Sequence, residues 1–212
     1  MKKTIFKNLP EEKKNKIITA ATEAFAENGY SSTSINSIVK KIGIAKGSIF
    51  NYFGDKKGLF IYIFNICIER VKDYLRQVRE ETNDKNIFSR LEAILMAGVK
   101  FAENHPHIYR LYIRMTITSD VPLKNDLQLA IRKYAHEFLF ELLEEANEKN
   151  ELNNNIDIGM AVFVIESIMD KFLQTKVIPY LDPGYGIFKS DINHASSLVK
   201  EIIMIIKTGL SS

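Results

Sequence analysis

Gly43-Ile-Ala-Lys-Gly-Ser-Ile-Phe-Asn-Tyr-Phe-Gly-Asp-Lys56 is the stretch on which the reading of this 212-residue chain turns. Between its glycines, Ala45 to Phe53 makes two turns of helix, with Ile49, Phe50 and Phe53 on an apolar face and Lys46, Ser48, Asn51 and Tyr52 largely off it. Just upstream, Ser31-Ser-Thr-Ser34 offers cap hydroxyls to a second short helix, whose Ile35, Ile38, Val39 and Ile42 share one side and which halts at Gly43. Two short helices joined by a tight glycine turn have the dimensions of a helix-turn-helix, in which the second helix enters the major groove of DNA.

The polar residues of the second helix suit that task. Lys46 can donate to guanine O6 and N7, and Asn51 can make a bidentate contact with adenine. Ser48, Tyr52 and Lys56 can bond phosphates, and Gly47 lets the backbone come close. Thr33 and Ser34 place hydroxyls and backbone N–H groups at a helix start, a natural anion site. Each has a plainer alternative: Thr33 and Ser34 as caps, Tyr52 as a ring packed on the first helix, Lys56 as an exposed first-turn lysine. Their joint occurrence at these offsets favours the DNA reading.

Working outward, Pro10 to Asn28 begins with Pro-Glu-Glu, sets Ile17, Ile18, Ala21, Ala24 and Phe25 on one face, and closes at Asn28-Gly29 as a left-handed cap. Phe25, Ile38, Ile49 and Phe53 are expected in the core. Gly54-Asp55 caps a long helix from Lys56 to about Thr82, the natural bridge into the rest of the chain. Further helices are predicted near 87–104, 106–118, 123–149, 157–180 and 191–208, separated by Asn104-His-Pro106, Ser119-Asp-Val-Pro122, Asn153-Asn-Asn155 and Leu181-Asp-Pro-Gly-Tyr-Gly186. No segment alternates as a strand would, so the expected class is all-α. The expected division is a helix-turn-helix domain over 1–54 and a helical effector-binding and dimerisation domain over 55–212.

Charge is unevenly spread. Residues 1–60 hold 11 lysines and 5 carboxylates, a net +6, whereas residues 61–212 hold 18 basic and 21 acidic residues, a net −3. A cationic head on a mildly anionic body fits a protein of which only the first part approaches phosphates. The single cysteine, Cys67, sits in an apolar run and reads as a small buried hydrophobe; with no intrachain disulfide available, the chain fits a reducing cytoplasm. The basic N-terminus leads straight into Glu11-Glu-Lys-Lys-Asn-Lys16 without the apolar stretch of a signal peptide, and the most apolar runs, 59–68 and 158–169, are too short to span a membrane. The histidines lack metal-ligand spacing, His105-Pro-His107 reading as a helix-start loop, and no metal or cofactor is expected. An enzyme is the weaker alternative, since no nucleophile elbow, phosphate-binding glycine loop or paired metal ligands occur. A scaffold that binds only protein is disfavoured by the cationic head.

Ile17-Ile-Thr-Ala-Ala21, Phe25-Ala-Glu-Asn-Gly-Tyr30, Ser32-Thr33, Ile38 and the Gly43–Lys56 stretch followed by Leu59 resemble the DNA-binding domain of the TetR family of transcriptional regulators. The resemblance covers about the first sixty residues. It implies a dimer on a palindromic operator, phosphate contacts from Ser34, Ser48, Tyr52 and Lys56, and base contacts from Asn36, Lys46, Gly47 and Asn51. There are departures: Val39 and Ile42 stand where alanine is usual, Ala45 where a capping serine is usual, and Phe50 where tyrosine is commoner. Losing the cap costs about 1 kcal/mol locally.

For the body, the resemblance implies a helical domain whose last two helices, here 157–180 and 191–208, pair with those of a second copy. Leu198-Val-Lys-Glu-Ile-Ile-Met-Ile-Ile206 is apolar enough to be costly in water, at roughly 25 cal/mol per Å²; burial against a second copy is the economical answer and burial within the chain the competing one. Phe101, Tyr109, Tyr112, Met115, Phe138, Met160 and Phe163 are the candidate lining of a pocket for a small apolar or aromatic effector, with interior packing as the plainer alternative for each. Two recognition helices must sit about 34 Å apart to enter successive major grooves. An effector that swings the bridge helix would lower the population of that spacing.

Overall fold

Nine α-helices and one 3₁₀ turn account for the regular structure among the described residues, 6–117, 121–153 and 155–210, of this computed structural model. No strand occurs among them. In chain order the helices are α1 (Glu11–Ser32), α2 (Ile35–Ile42), α3 (Lys46–Phe53), α4 (Lys56–Glu81), α5 (Ile87–Asn104), α6 (Pro106–Ile117), α7 (Lys124–Glu148), α8 (Ile158–Thr175) and α9 (Ile192–Leu210). The 3₁₀ turn, Pro179–Leu181, lies between α8 and α9. The all-α expectation holds, and the predicted helices recur with ends shifted by a few residues. Lys2, Lys3, the predicted helix end at Thr118 and the break at Ser119-Asp120 lie outside the described residues, as does Asn154.

Glycine conformation explains the breaks in the head. Gly29 has φ 75 and ψ 178, which interrupts α1 where the left-handed cap was expected, and a short helical remnant continues to Ser32. Gly43 closes α2 in the left-handed region, φ 69 and ψ 36, and so sets the turn into α3.

The chain packs as two compact units. One comprises Met1–Val71 and His105–Gln128, the other Lys72–Asn104 and Leu129–Ser212. The division therefore falls within α4 and not at the expected 54/55 boundary. The reason is burial: Leu59, Phe60, Ile63 and Phe64 of α4 are core residues of the head beside Phe25, Ile38 and Ile49. Helix α6 also belongs to this unit. It lies along α1, and Arg114 Nη2 donates to Glu27 O at 2.7 Å. Cys67 is buried, and that burial pushes its thiol up to about 11, in keeping with an inert core position.

The second unit is built around Leu91, Leu95 and Val99 of α5, Leu142 and Leu143 of α7, Val162 and Ile165 of α8, and Val199 and Ile203 of α9. Gly98 permits a close approach of α5 to α8, for a Cβ there would stand 2.8 Å from Leu173 Cδ1. Charges are paired at the margin of this core. Buried Arg90 donates to Glu145 Oε2 at 2.9 Å, and Arg79 reaches both Glu145 and Glu141, the latter at 2.7 Å. Burial works against ionisation of Glu145, but hydrogen bonds and charge from Arg90 and Arg79 prevail and hold the carboxyl below its ordinary range. After α8, the buried Lys176 donates to Ser190 O at 2.6 Å and lies 3.3 Å from Glu103. Asp182 accepts N–H bonds from Phe188, Tyr185 and Gly184, so the glycine-rich turn is a folded loop.

Two expectations for the body are corrected. Met160 and Phe163 are 60% and 63% exposed and do not line an interior cavity. They share an outward stripe of α8 with Val164, opposite the inward Ala161, Val162, Ile165 and Met169. Both sides of α8 are apolar, and the packing of Ala161, Val162, Ile165 and Met169 into the core decides which side faces out. Phe101, Tyr109, Met115 and Phe138 are buried. The Tyr109 and Tyr112 rings lie tilted at 6.1 Å within the first unit, whereas Phe101 packs on Tyr74 at 5.6 Å and Phe138 near Tyr134 at 6.3 Å within the second.

Candidate nucleic-acid interface

Helix α3 is short, and its two sides are chemically distinct. Ile49 is fully buried and Tyr52 is 7% exposed, whereas Lys46, Gly47, Phe50 and Asn51 are exposed. The inward stripe is Ile49, Tyr52 and Phe53, at i, i+3 and i+4; the outward one is Lys46, Gly47, Phe50 and Asn51. This reverses the expectation for two aromatic residues. Phe50 faces out, and Tyr52 packs in, its ring 5.7 Å from Phe6 and 6.1 Å from Phe53. The Lys46 ammonium sits 5.8 Å from the Phe50 ring.

Phe6 is the residue sequence reading missed. It is 1% exposed and also contacts Phe53 at 4.8 Å and Tyr62 at 5.1 Å, so a segment before α1 braces the inner side of α3 against α4. Lys14 Nζ donates to Lys7 O at 3.1 Å and holds the same segment. The apolar Ile5-Phe6 pair and Leu9 in an otherwise lysine-rich segment were the available signal.

Gly47 has open space around it: a Cβ there would meet no atom within 4 Å. The protein's own packing thus makes no demand for glycine at this position. Ser48 is half-buried, with its N–H bonded to Ala45 O at 2.9 Å. Ala45 stands at the N-cap of α3 without a side-chain cap, as its side chain requires.

At the start of α2, Ser34 occupies the N-cap position and is exposed, and its hydroxyl makes no capping bond. Asn36 is exposed one residue into the helix. Thr33 departs from expectation. It is 3% exposed, its hydroxyl donates to Gly29 O at 2.6 Å and lies 3.0 Å from Ala24 O, and its N–H reaches Tyr30 O at 3.3 Å. Both groups are spent closing the end of α1. Lys56 is likewise engaged: Nζ donates to Ser31 O at 2.9 Å and Thr33 O at 3.0 Å and stands 4.7 Å from the Tyr30 ring. The expected phosphate ligand is a clamp between the α1–α2 junction and α4.

What remains outward is a compact polar face: Ser34 and Asn36 on α2, and Lys46, Gly47 and Asn51 on α3, with Phe50 among them. A helix pair with a cationic, amide-bearing second helix, followed by a helical body, defines a sequence-specific DNA-binding transcriptional regulator. Residues 17–63 match the family described as bacterial regulatory proteins, tetR family, and residues 85–211 match the tetracyclin repressor-like C-terminal domain. The chain belongs to the TetR family of transcriptional regulators.

Among its relatives is the fatty acid metabolism regulator protein of Bacillus subtilis (strain 168), 26% identical over 169 residues, which span 76% of this chain and 82% of that one. A crystal structure of a TetR family regulator from Chloroflexus aurantiacus J-10-FL is 26% identical, with a TM-score of 0.72 over 99% of this chain and 98% of that chain. The regulator FadR from Bacillus subtilis in complex with stearoyl-CoA shares the fold at a TM-score of 0.74 and 21% identity, over 92% of this chain and 98% of that one. Among the described residues, no helix is long and apolar enough to cross a membrane.

Proposed function

We propose that the protein is a homodimeric repressor, not a catalyst, that holds a palindromic operator and is released by a long-chain acyl thioester. The observation that carries the DNA half of this reading is the outward face of α3, where Lys46, Gly47 and Asn51 stand exposed while every neighbour on the other side is packed. Lys46 donates to guanine, Asn51 donates to adenine N7 and accepts from its N6 amino group, Asn36 supplies a further amide, and Ser34 with the first N–H groups of α2 a phosphate seat. Ser48 and the Tyr52 hydroxyl edge are the lesser candidates, and Thr33 and Lys56 act by holding α2 in place.

The second copy is supported by apolar side chains turned to solvent on the last two helices: Met160, Phe163 and Val164 on α8, Met204 and Ile205 on α9. Large apolar groups in this number on helices that already bury another side are the signature of an interface. They lie within the 157–180 and 191–208 segments expected to pair.

The effector class draws on the relatives, one being a fatty acid metabolism regulator and another crystallised with stearoyl-CoA. The buried Tyr109 and Met115 and half-buried Tyr112 of α6 supply apolar chemistry suited to an acyl chain. Since α6 lies along α1, an effector that moves α6 moves the head it is packed in.

The test is fluorescence anisotropy on duplexes from the region upstream of the protein's own gene, with and without stearoyl-CoA or palmitoyl-CoA. Nanomolar binding that falls steeply with salt and is lost on adding the thioester is expected. Binding unaffected by either thioester overturns the effector assignment, and the absence of any sequence preference overturns the regulator reading.

A further inference from the structure

We propose that Phe50 is a base-reading residue: its ring takes up the C5-methyl group of a thymine, one or two base pairs from the base that Lys46 contacts. The inference rests on the operator-binding reading above and deepens it to sequence preference.

Phe6, Phe25, Phe60 and Phe64 of the head are at most 1% exposed and Phe53, on the inward side of α3, is half-buried, whereas Phe50 is 38% exposed. A single exposed apolar side chain is ordinary on a protein surface. Its position is what carries the argument. Phe50 follows Lys46 by four residues and Gly47 by three and precedes Asn51, so it lies in the middle of the outward face of α3. Any duplex that meets Lys46 and Asn51 meets the Phe50 ring as well.

A phenyl group offers no hydrogen-bond donor or acceptor, and most base edges in the major groove would lose water to it without return. The exception is thymine, whose methyl group is the one apolar feature of that groove. The spacing follows from helix geometry. One turn of α3 advances about 5.4 Å, against about 3.4 Å per base pair along the duplex. A base read by Lys46 and a methyl met by Phe50 are therefore one or two steps apart. In the free protein the Lys46 ammonium rests 5.8 Å from the Phe50 ring. Transfer of that ammonium to guanine O6 and N7 uncovers the ring for the methyl group.

The experiment begins with duplexes selected by the wild-type protein from a random-sequence pool. Each thymidine of the selected half-site is then replaced by deoxyuridine, which removes the methyl and keeps the base pair. One position per half-site is expected to lose about fourfold in affinity, the worth of one buried methyl group, and about fifteenfold when both half-sites are changed. Phe50→Ala binds the thymidine duplex more weakly and loses the distinction at that position, whereas Phe50→Tyr keeps the ring and the distinction. Lys46→Ala weakens binding and leaves the methyl effect in place. Unchanged affinity across every deoxyuridine duplex, or a Phe50→Ala protein with the wild-type thymidine preference, overturns the proposal while leaving the regulator reading intact. If no duplex is enriched at all, the regulator reading fails and takes this one with it.

Discussion

Lys56 Nζ donates to Thr33 O at 3.0 Å, across an interval of 23 residues, and thereby ties the first turn of α4 to the junction from which α2 departs. The same ammonium holds Ser31 O, so one side chain neutralises two carbonyls left over where α1 ends. Replacing Lys56 by methionine keeps the aliphatic stem and removes both bonds. A loss of about 2 kcal/mol is expected, since hydrogen bonds to charged groups are worth about 1.5–3 kcal/mol. For a chain of this size that is a fall in Tm of about 4–8 °C. A free phosphate ligand would behave differently, flattening the salt dependence of DNA binding with Tm unchanged. Thermal unfolding and salt titration on one variant separate the two roles.

Gly47 makes the opposite pairing of effects. A methyl group there meets nothing in the free protein, and alanine is favoured over glycine inside a helix by up to about 1 kcal/mol. Gly47→Ala should therefore leave Tm unchanged or slightly raised. Operator affinity should drop by about tenfold, the scale of one direct-readout contact. Equal affinity in the two proteins would show that the backbone of α3 stays clear of the bases.

Phe163 is 63% exposed on α8, so a charge there costs the monomer fold little. Phe163→Glu is expected to raise the dimer dissociation constant by about thirtyfold or more, as for a central interface residue. Sedimentation velocity across a concentration series reads it, with circular dichroism confirming helix content. A variant that remains as dimeric as wild type would place the interface elsewhere.

Glu145 bridges Arg79 and the buried Arg90, and its removal leaves a guanidinium without its counter-charge. Glu145→Ala should cost about 2 kcal/mol, the worth of hydrogen bonds to charged groups, because solvent reaches 39% of the Glu145 side chain and screens the pair. The pH dependence follows from the same geometry. Because Glu145 is held below its unfolded value, its contribution is complete above the ordinary carboxylate range and disappears as pH falls through the lowered value. Asp182, held down by the N–H groups of Phe188, Tyr185 and Gly184, acts in the same direction. Urea unfolding at pH 7, 5 and 3.5 should show wild type losing stability toward acid and Glu145→Ala losing less of it.

Helical period and glycine placement alone determined most of the architecture. The all-α class, the break at Gly29, the left-handed turn at Gly43 and the core positions of Phe25, Ile38 and Ile49 all follow from local chemistry, because each depends on residues within a turn or two. So does the exposure of Lys46 and Asn51. What depends on residues distant in the chain was decided by tertiary packing. Tyr52 turns inward because Phe6 and Phe53 offer its ring a place, leaving Phe50 outside. Thr33 and Lys56 are bound up because the end of α1 needs donors where they pass. Met160 and Phe163 look like pocket residues by composition and are surface residues because the opposite side of α8 packs into the core. The head extends into α4 because the apolar run after Lys56 fills the core of α1 to α3. Apolarity states that a side chain avoids water; only the folded neighbours state which side of the helix supplies the shelter.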